Sequence, residues 1–342
     1  MITGHGDDIF NYPDIRINFS SNVYNHFNHE PLFAHLASRL RLIQNYPEPS
    51  PVRVERKISE KLDISFQEVM ATSGAIESIY LVAMAFRGSR TMILSPTFSE
   101  YADACRIHGH SVSFVRSLEE IAGQAETVWL CNPNNPTGTV LNREELLGCI
   151  RRCPQTVFVI DASYSPFTLE PLVTPAEAMS FPNVIMIHSM TKEFAVPGLR
   201  IGYITAPIAL LQRIRAFQMP WSVNSLAQEA ALYLLNHSED YVLPVAELLR
   251  ERERMAQVLS QGEGVDAYPS QTHILLCRLH HGTAAELKRH LAHEYGILIR
   301  NASNFHGLTP AHFRIAVQTS EENDELVAAI HEIIRSSHVS KQ

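Results

Sequence analysis

The residue with the clearest capacity for chemistry is a lysine that follows a strand-like apolar segment. Lys192 lies three residues after Ser189 and eight residues before Arg200, just beyond the apolar run Val184–His188. A lysine at the end of a buried strand loses hydration, and this favours the neutral amine that attacks carbonyl groups. Exposure on the surface is the ordinary fate of a single lysine. The hydroxyl before it and the arginine after it are what favour a functional role.

A carboxylate follows a second candidate strand. Asp161 comes directly after Thr156–Ile160 and is followed by Ala-Ser-Tyr, which ends at Tyr164. A carboxylate buried at this point needs a partner that offsets its lost hydration. A cationic ring nitrogen of a ligand would be such a partner, and capping of a following helix is the alternative.

Two more strand ends carry turn-forming residues. In residues 72–77 (Thr-Ser-Gly-Ala-Ile-Glu) a helix begins near Gly74, and its free N–H groups would attract an anion. A plain turn is the alternative there. Residues 132–138 (Asn-Pro-Asn-Asn-Pro-Thr-Gly) combine two prolines with three asparagines. This string predicts an irregular loop that presents amide side chains at the carboxyl edge of a sheet, where α/β proteins bind ligands.

The elements that must position these residues are short and mostly apolar throughout. The candidate strands are Glu68–Ala71, Thr91–Leu94, Val112–Val115, Thr127–Cys131, Thr156–Ile160, Val184–His188 and Gly202–Thr205. Strands that are apolar on both faces are typical of a mostly parallel sheet covered by helices. Two later strands are expected at Thr272–Leu279 and Phe313–Val317. Helices are expected at 225–259, with an interruption near Pro244, and at 284–294 and 324–335.

This pattern predicts an α/β fold with a large central domain and a smaller domain built from both chain ends. We expect residues 1–35 to join the small domain, residues 36–225 to form the large domain, and residues 226–342 to complete the small one.

In their order along the chain, these segments resemble the fold-type I pyridoxal-phosphate (PLP) enzymes of the aminotransferase class I/II superfamily, over about residues 18 to 330. The resemblance implies a large domain with a mostly parallel, seven-stranded mixed sheet between helices, plus a small α+β domain. It also implies that Lys192 is the catalytic residue and attaches PLP covalently. The implied cofactor contacts are Asp161 at the ring nitrogen, Asn135 and Tyr164 at the 3′ oxygen, Phe98 on the ring face, Gly74, Ala75, Ser189 and Arg200 at the phosphate, and Tyr46 at the phosphate of the neighbouring subunit.

Residues outside the central block decide the substrate. Arg314 lies in the candidate strand Phe313–Val317, and Arg300 precedes it by fourteen residues. An arginine binds carboxylate or phosphate through two parallel hydrogen bonds, and structural ion pairing is the alternative for Arg300.

With the N-terminal Gly-His-Gly string, these segments resemble the threonine-phosphate decarboxylases of cobalamin biosynthesis more than the histidinol-phosphate aminotransferases. The resemblance implies that His5, Asn22, Arg300 and Arg314 face the substrate. It also implies decarboxylation of L-threonine O-3-phosphate to (R)-1-amino-2-propanol O-2-phosphate, with an aminotransferase as the alternative.

Composition excludes other classes of protein. The net charge is −8 with no basic cluster, which is unfavourable for nucleic-acid binding. The longest apolar run, Ile79–Phe86, is too short to span a bilayer, and the N-terminus does not resemble a secretory signal. Five cysteines without a CxxC pair predict no disulfide framework, no zinc site and a reducing cytoplasm. We therefore expect a cytoplasmic protein that binds no metal, and the resemblance implies a homodimer with shared active sites that acts on a phosphorylated amino acid.

Overall fold

The computed structural model describes residues 6–121, 125–262 and 264–339, and for residues 337–339 it describes the backbone alone. The strands in this part of the chain are β1 (Ile17–Asn18), β2 (Val69–Thr72), β3 (Arg90–Leu94), β4 (Ser111–Val115), β5 (Thr127–Cys131), β6 (Val157–Asp161), β7 (Val184–His188), β8 (Gly202–Thr205), β9 (Val265–Ala267), β10 (Ile274–Leu279), β11 (Ile297–Leu298), β12 (Arg300–Asn301) and β13 (His312–Ala316).

The helices alternate with the strands of the central block and flank them at both chain ends. They are α1 (Glu30–Ser38), α2 (Val52–Leu62), α3 (Gly74–Ala85), α4 (Glu100–Ile107), α5 (Arg143–Arg152), α6 (Pro175–Ala178), α7 (Met190–Glu193), α8 (Ile208–Arg215), α9 (Ser225–Asn236), α10 (Val245–Gln261), α11 (Ala284–His290) and α12 (Ser320–Val339).

The seven expected strands form one sheet in the order β2-β8-β7-β6-β5-β3-β4. Only β8, among these seven, runs antiparallel to its neighbours. Strands β5, β7 and β8 are buried along their whole length, because helices cover both faces of the sheet. The prediction of a mostly parallel, seven-stranded mixed sheet is therefore confirmed.

The second sheet has the order β12-β13-β10-β9 and is antiparallel throughout. The N-terminal segment joins this unit through β1, which pairs in parallel with β11. A separate apolar cluster lies beneath the sheet and includes Met255 and Leu259 of α10, Leu275 of β10 and Val327 of α12. Both chain ends thus build the small unit, as the sequence predicts.

Helix α9 packs on the large unit, whereas the predicted boundary at residue 225 places it in the small domain. Its buried residues Ala227 and Leu234 share a cluster with Val54 of α2 and Val69 of β2, in the large unit. The next helix, α10, packs instead on the small sheet. We therefore propose that the domain boundary lies between α9 and α10.

The described residues contain no group of His, Cys, Asp and Glu side chains that would hold a metal ion. All five cysteines are buried and unpaired. None of the described helices combines the length and apolar content that crossing a membrane requires.

Candidate active site

The carboxyl ends of the central strands meet at one cavity of about 630 Å³. Parallel strands end at the same edge of their sheet, so the loops after β2, β5, β6 and β7 converge there. The small unit and the N-terminal segment close the other side. The cavity is lined by eleven of the sequence-predicted residues: Asn22, Ala75, Phe98, Asn135, Asp161, Tyr164, Ser189, Lys192, Arg200, Arg300 and Arg314.

The lysine amine is held inside this cavity. Lys192 Nζ donates a hydrogen bond of 2.6 Å to the backbone carbonyl of Ser21, which lies in the N-terminal segment. Burial of the amine, together with the neighbouring Arg314 cation, lowers the pKa of Lys192 to about 8. The neutral amine is therefore much more abundant at neutral pH than in an exposed lysine, as nucleophilic attack requires.

This environment predicts how the cofactor-free protein reacts. We expect acylation of Lys192 to rise with pH to a midpoint near 8, because only the unprotonated amine attacks and its pKa is about 8. Peptide mass spectrometry after brief labelling across pH gives the midpoint. Nα-acetyl-lysine in the same solution is the control and should label with the midpoint of an ordinary free lysine. Identical midpoints for the two lysines would contradict the prediction.

Asp161 is a buried carboxylate that accepts hydrogen bonds at both oxygens. Its Oδ1 accepts a hydrogen bond of 2.9 Å from the backbone N–H of Ser163, and its Oδ2 accepts one of 2.6 Å from the hydroxyl of Tyr101. Burial raises the pKa of Asp161, whereas both donors and the Lys192 charge oppose that rise. A cationic group brought into the cavity would favour the charged carboxylate further.

An amide and a phenol lie beside this carboxylate. Asn135 Oδ1 accepts a hydrogen bond of 2.5 Å from Arg314 Nη1. A guanidinium can only donate, so the NH₂ of Asn135 is the part that remains for a ligand. The hydroxyl of Tyr164 accepts a hydrogen bond of 2.9 Å from Asn22 Nδ2. The proton of the Tyr164 hydroxyl therefore remains available for a second acceptor. Both groups can thus donate to one ligand oxygen.

An anion-binding corner lies at the start of α3. Gly74 adopts φ +82°, and a Cβ built on it would lie 2.6 Å from Arg200 Nη2. Gly202 allows a similarly close approach, because its Cβ would lie 2.9 Å from the backbone nitrogen of Ala75. Ser189 Oγ is hydrogen-bonded to Thr191 Oγ1 at 2.7 Å, and both residues line the cavity. The helix N-terminus, two hydroxyls and one guanidinium together suit a phosphate.

Replacing Gly74 by alanine should disturb this corner. The new Cβ would push the Arg200 guanidinium away, so we expect at least about a tenfold loss of phosphate-cofactor affinity. Gly88→Ala is a matched control, because Gly88 has φ +79° but nothing within 4 Å of a Cβ. Both variants carry the same backbone strain, so titration with PLP isolates the contact with Arg200. Equal affinities in the two variants would show that Gly74 has no such role.

Two buried arginines form the remaining wall. Arg314 is 3% exposed, and its Nη2 donates 2.6 Å to the carbonyl of Ser20. Arg300 is 4% exposed, and its Nη2 donates a hydrogen bond of 2.8 Å to Asn304 Oδ1. The guanidinium of Arg300 also lies over the ring of Phe305. Burial lowers the pKa of Arg314 to about 9 and that of Arg300 to about 10. Neither arginine donates a hydrogen bond to a carboxylate of the described residues, so an anionic ligand would compensate their burial.

Two of the predicted residues that the structure describes, Gly74 and Tyr46, are not part of the cavity lining. Gly74 lies behind it, in contact with Arg200. Tyr46 is 83% exposed, and its ring lies 5.3 Å from that of Trp221 on the surface. His5 lies outside the described residues.

Sequence reasoning missed several cavity residues. Tyr101, Thr191, Ser21, Asp7 and Phe305 all line it. Spacing offered a signal for two of them, since Tyr101 lies three residues after Phe98 and Thr191 precedes Lys192. The other three come from segments that long-range strand pairing brings to the site, as with β1 on β11.

Buried polar atoms without a partner show that the cavity suits a polar ligand. Ser21 Oγ, Asn22 Oδ1 and Arg314 Nε have no hydrogen-bond partner among the residues that the structure describes, although their residues line the cavity. Such atoms are costly unless a ligand satisfies them. A carboxylate, an amide–phenol pair, a reactive amine and an anion corner together fit a phosphorylated pyridine aldehyde.

Comparison with known proteins identifies the family. The sequence profile of aminotransferase class I and II matches residues 14–330. The chain belongs to this family. It is a PLP-dependent enzyme, and its cofactor is pyridoxal 5′-phosphate.

Relatives within the aminotransferase class I and II family carry two different activities in their names. Threonine-phosphate decarboxylase from Salmonella typhimurium is 29% identical over 94% of this chain and 92% of its own. Histidinol-phosphate aminotransferase from Caldanaerobacter subterraneus is also 29% identical, over 84% of each chain. The crystal structure of L-threonine-O-3-phosphate decarboxylase from Porphyromonas gingivalis matches with a TM-score of 0.91 and 38% identity, covering 93% of this chain and 99% of that one.

Proposed function

We propose that this enzyme decarboxylates L-threonine O-3-phosphate to (R)-1-amino-2-propanol O-2-phosphate, as a step of cobalamin biosynthesis. The observation that carries the proposal is the pair of buried arginines, Arg300 and Arg314, on one wall of the cavity. The proposed substrate brings two anions, a carboxylate and a phosphate, whereas histidinol phosphate brings only the phosphate. The 38% identity to the Porphyromonas gingivalis decarboxylase supports the same choice.

We propose the following contacts for the cofactor. Lys192 attaches PLP, Asp161 faces the ring nitrogen, and Phe98 lies against the ring. Asn135 and Tyr164 donate to the 3′ oxygen. The phosphate binds at Gly74, Ala75, Ser189 and Arg200, which converge at the start of α3. Bound PLP supplies an electron sink for the charge that develops when a bond at the substrate Cα breaks.

The chain's own residues then select the reaction. Arg300 and Arg314 hold the two anions, and the amide oxygen of Asn22 accepts a hydrogen bond from a protonated group of the substrate, so that the Cα–carboxylate bond is oriented for cleavage. His5 is proposed to act beside them. The protonated amine of Lys192 then donates a proton to Cα, in place of the carboxylate, after carbon dioxide has left. Its lowered pKa suits proton transfer in both directions near neutral pH.

The experiment that tests this function is a substrate comparison on the holoenzyme. We expect threonine phosphate to release carbon dioxide and an amino-alcohol phosphate in equal amounts, without a keto acid being added. Unphosphorylated threonine is the control and should react far more slowly, because one arginine would remain unpaired. The histidinol-phosphate alternative is favoured by the equally similar aminotransferase relatives. The aminotransferase alternative predicts that threonine phosphate releases no carbon dioxide and that histidinol phosphate converts the cofactor to pyridoxamine phosphate. That result would overturn our proposal.

We also propose that the enzyme is a homodimer whose active sites are shared. Large apolar side chains are exposed on one part of the large unit, including Leu40, Ile43, Tyr46, Met219 and Trp221. The backbone N–H of Trp221 donates a hydrogen bond of 3.0 Å to the carbonyl of Pro49. This bond joins the segment that contains Tyr46 to the segment that contains Met219 and Trp221. An exposed apolar patch of this kind is typical of a subunit interface.

Shared sites predict complementation between two defective variants. If Tyr46 reaches the partner's cofactor phosphate, a Tyr46→Ala chain and a Lys192→Ala chain form mixed dimers with one intact site. We expect the mixture to be more active than the sum of the separate preparations after the subunits exchange. Wild-type enzyme mixed with each variant alone controls for simple stabilisation. Additive activities, or a monomeric active enzyme, would refute the role of Tyr46.

A further inference from the structure

A buried tyrosine behind the cavity contacts two of the proposed cofactor residues. Tyr101, on α4, is 1% exposed and lines the inner end of the cavity. Its hydroxyl donates a hydrogen bond of 2.6 Å to Asp161 Oδ2. Its ring packs edge-on against the ring of Phe98, and the two ring centroids are 5.8 Å apart. The ring also packs against Trp129, which fixes its position from the other side.

The hydroxyl acts on the carboxylate in a definite direction. A carboxylate that accepts a hydrogen bond is stabilised in its charged form, and the contact is strong because it is short and buried. Burial raises the pKa of Tyr101 well above its ordinary value, so the hydroxyl stays protonated and remains the donor. Ser163 and Tyr101 thus hold both oxygens of Asp161, Ser163 through its backbone N–H and its side chain and Tyr101 through its hydroxyl.

The other groups that face Asp161 are also defined. Lys192 of α7 lowers the pKa of the carboxyl group through its charge. Cys131 of β5, which is paired in register with Asp161, and Tyr164 both have raised pKa values because they are buried, so they stay neutral. Tyr101 therefore supplies a side-chain hydrogen bond to Asp161 from an element that carries none of the other contacts.

We propose that Tyr101 is a positioning residue for the pyridine ring of the cofactor. Its hydroxyl fixes Asp161 as the anionic partner of the pyridine nitrogen, and its phenol ring supports Phe98 against the face of the pyridine. This inference rests on the proposed contacts of Asp161 and Phe98. It makes the retention of PLP, and not only turnover, depend on a hydroxyl that does not itself touch the substrate.

The test compares Tyr101→Phe with Tyr80→Phe as holoenzymes. Tyr80 is a matched control, because its hydroxyl also donates to a carboxylate, Glu100, but it does not line the cavity. Bound PLP is measured by its visible absorbance after dilution at a series of pH values, and melting temperatures report on stability. We expect Tyr101→Phe to weaken PLP retention about tenfold or more.

The pH dependence distinguishes positioning from simple packing. Losing the donor raises the pKa of Asp161, so PLP should be lost at a higher pH in Tyr101→Phe than in wild type as the pH falls. Tyr80→Phe should not move that midpoint. A fall in melting temperature with an unchanged midpoint would mean that Tyr101 is only structural and would overturn the proposal.

A double-mutant cycle with Asp161→Asn separates this inference from its premise. If Asp161→Asn weakens retention and Tyr101→Phe adds nothing to it, the hydroxyl acts through Asp161, as we propose. If Asp161→Asn weakens retention but Tyr101→Phe leaves it unchanged, the inference fails while the cofactor contact stands. If Asp161→Asn has no effect on retention, both the proposed contact and the inference fail. All of these measurements use PLP alone, so they do not depend on which substrate the enzyme takes.

Discussion

Replacing Lys192 by alanine should abolish both covalent attachment of PLP and turnover. The reason is that the amine occupies the cavity between Ser21 and Arg314, where it would bind the cofactor and move a proton at the substrate. Loss of a positioned acid–base group alone costs about 10²–10⁴-fold in rate. We therefore expect kcat to fall by at least about 10³-fold. The visible cofactor band should also be lost.

The measurement combines kinetics with borohydride treatment and peptide mapping. Wild-type holoenzyme should carry the reduced cofactor on the peptide that contains Lys192, and Lys192→Ala should carry none. Lys57→Ala, a change at a half-buried lysine of α2 that does not line the cavity, should behave as wild type. Covalent cofactor on a different lysine in the wild-type protein would contradict this assignment.

Replacing Arg314 by glutamine should cause the second largest loss. The guanidinium is 3% exposed and bridges Asn135 Oδ1 to the carbonyl of Ser20, so it joins the large sheet to the N-terminal segment. Truncating one partner of a buried, hydrogen-bonded contact with a charged ligand costs about 2–5 kcal/mol. We expect kcat/KM to fall by about 10²–10³-fold.

Arg314→Gln should also change the lysine. Arg314 lowers the pKa of Lys192, so its removal should raise the labelling midpoint of the lysine above 8 in the cofactor-free protein. Arg278→Ala, on the neighbouring strand β10, removes an exposed arginine and should alter neither quantity. Normal kcat/KM in Arg314→Gln would show that this arginine does not bind the substrate.

The gathering of the proposed cofactor residues around one cavity was predictable because local structure sets the place of each residue. Asp161 ends one apolar strand, Asn135 and Lys192 follow the ends of two others, and parallel strands bring their carboxyl ends to one edge. The order of these segments along the chain carried the resemblance to the family. The seven strands were predictable for the same reason, because strands buried on both faces are apolar throughout.

Other features depend on contacts that no local pattern records. Ser21 meets Lys192 across 171 residues of chain, and Asp7 reaches the cavity through a segment anchored by the pairing of β1 with β11. Helix periodicity shows that α9 has an apolar face but not which core that face covers, and it packs on the large unit. The role of Tyr46 needs a second subunit, so it stays a prediction.

A crystal structure of the holoenzyme tests the central claim most directly. We predict continuous electron density from Lys192 Nζ to PLP in the cavity, with an oxygen of Asp161 within hydrogen-bonding distance of the ring nitrogen. The phosphate should lie at the start of α3, beside Arg200. Density that ends at the lysine amine, or a cofactor bound with its ring nitrogen away from Asp161, would contradict the account.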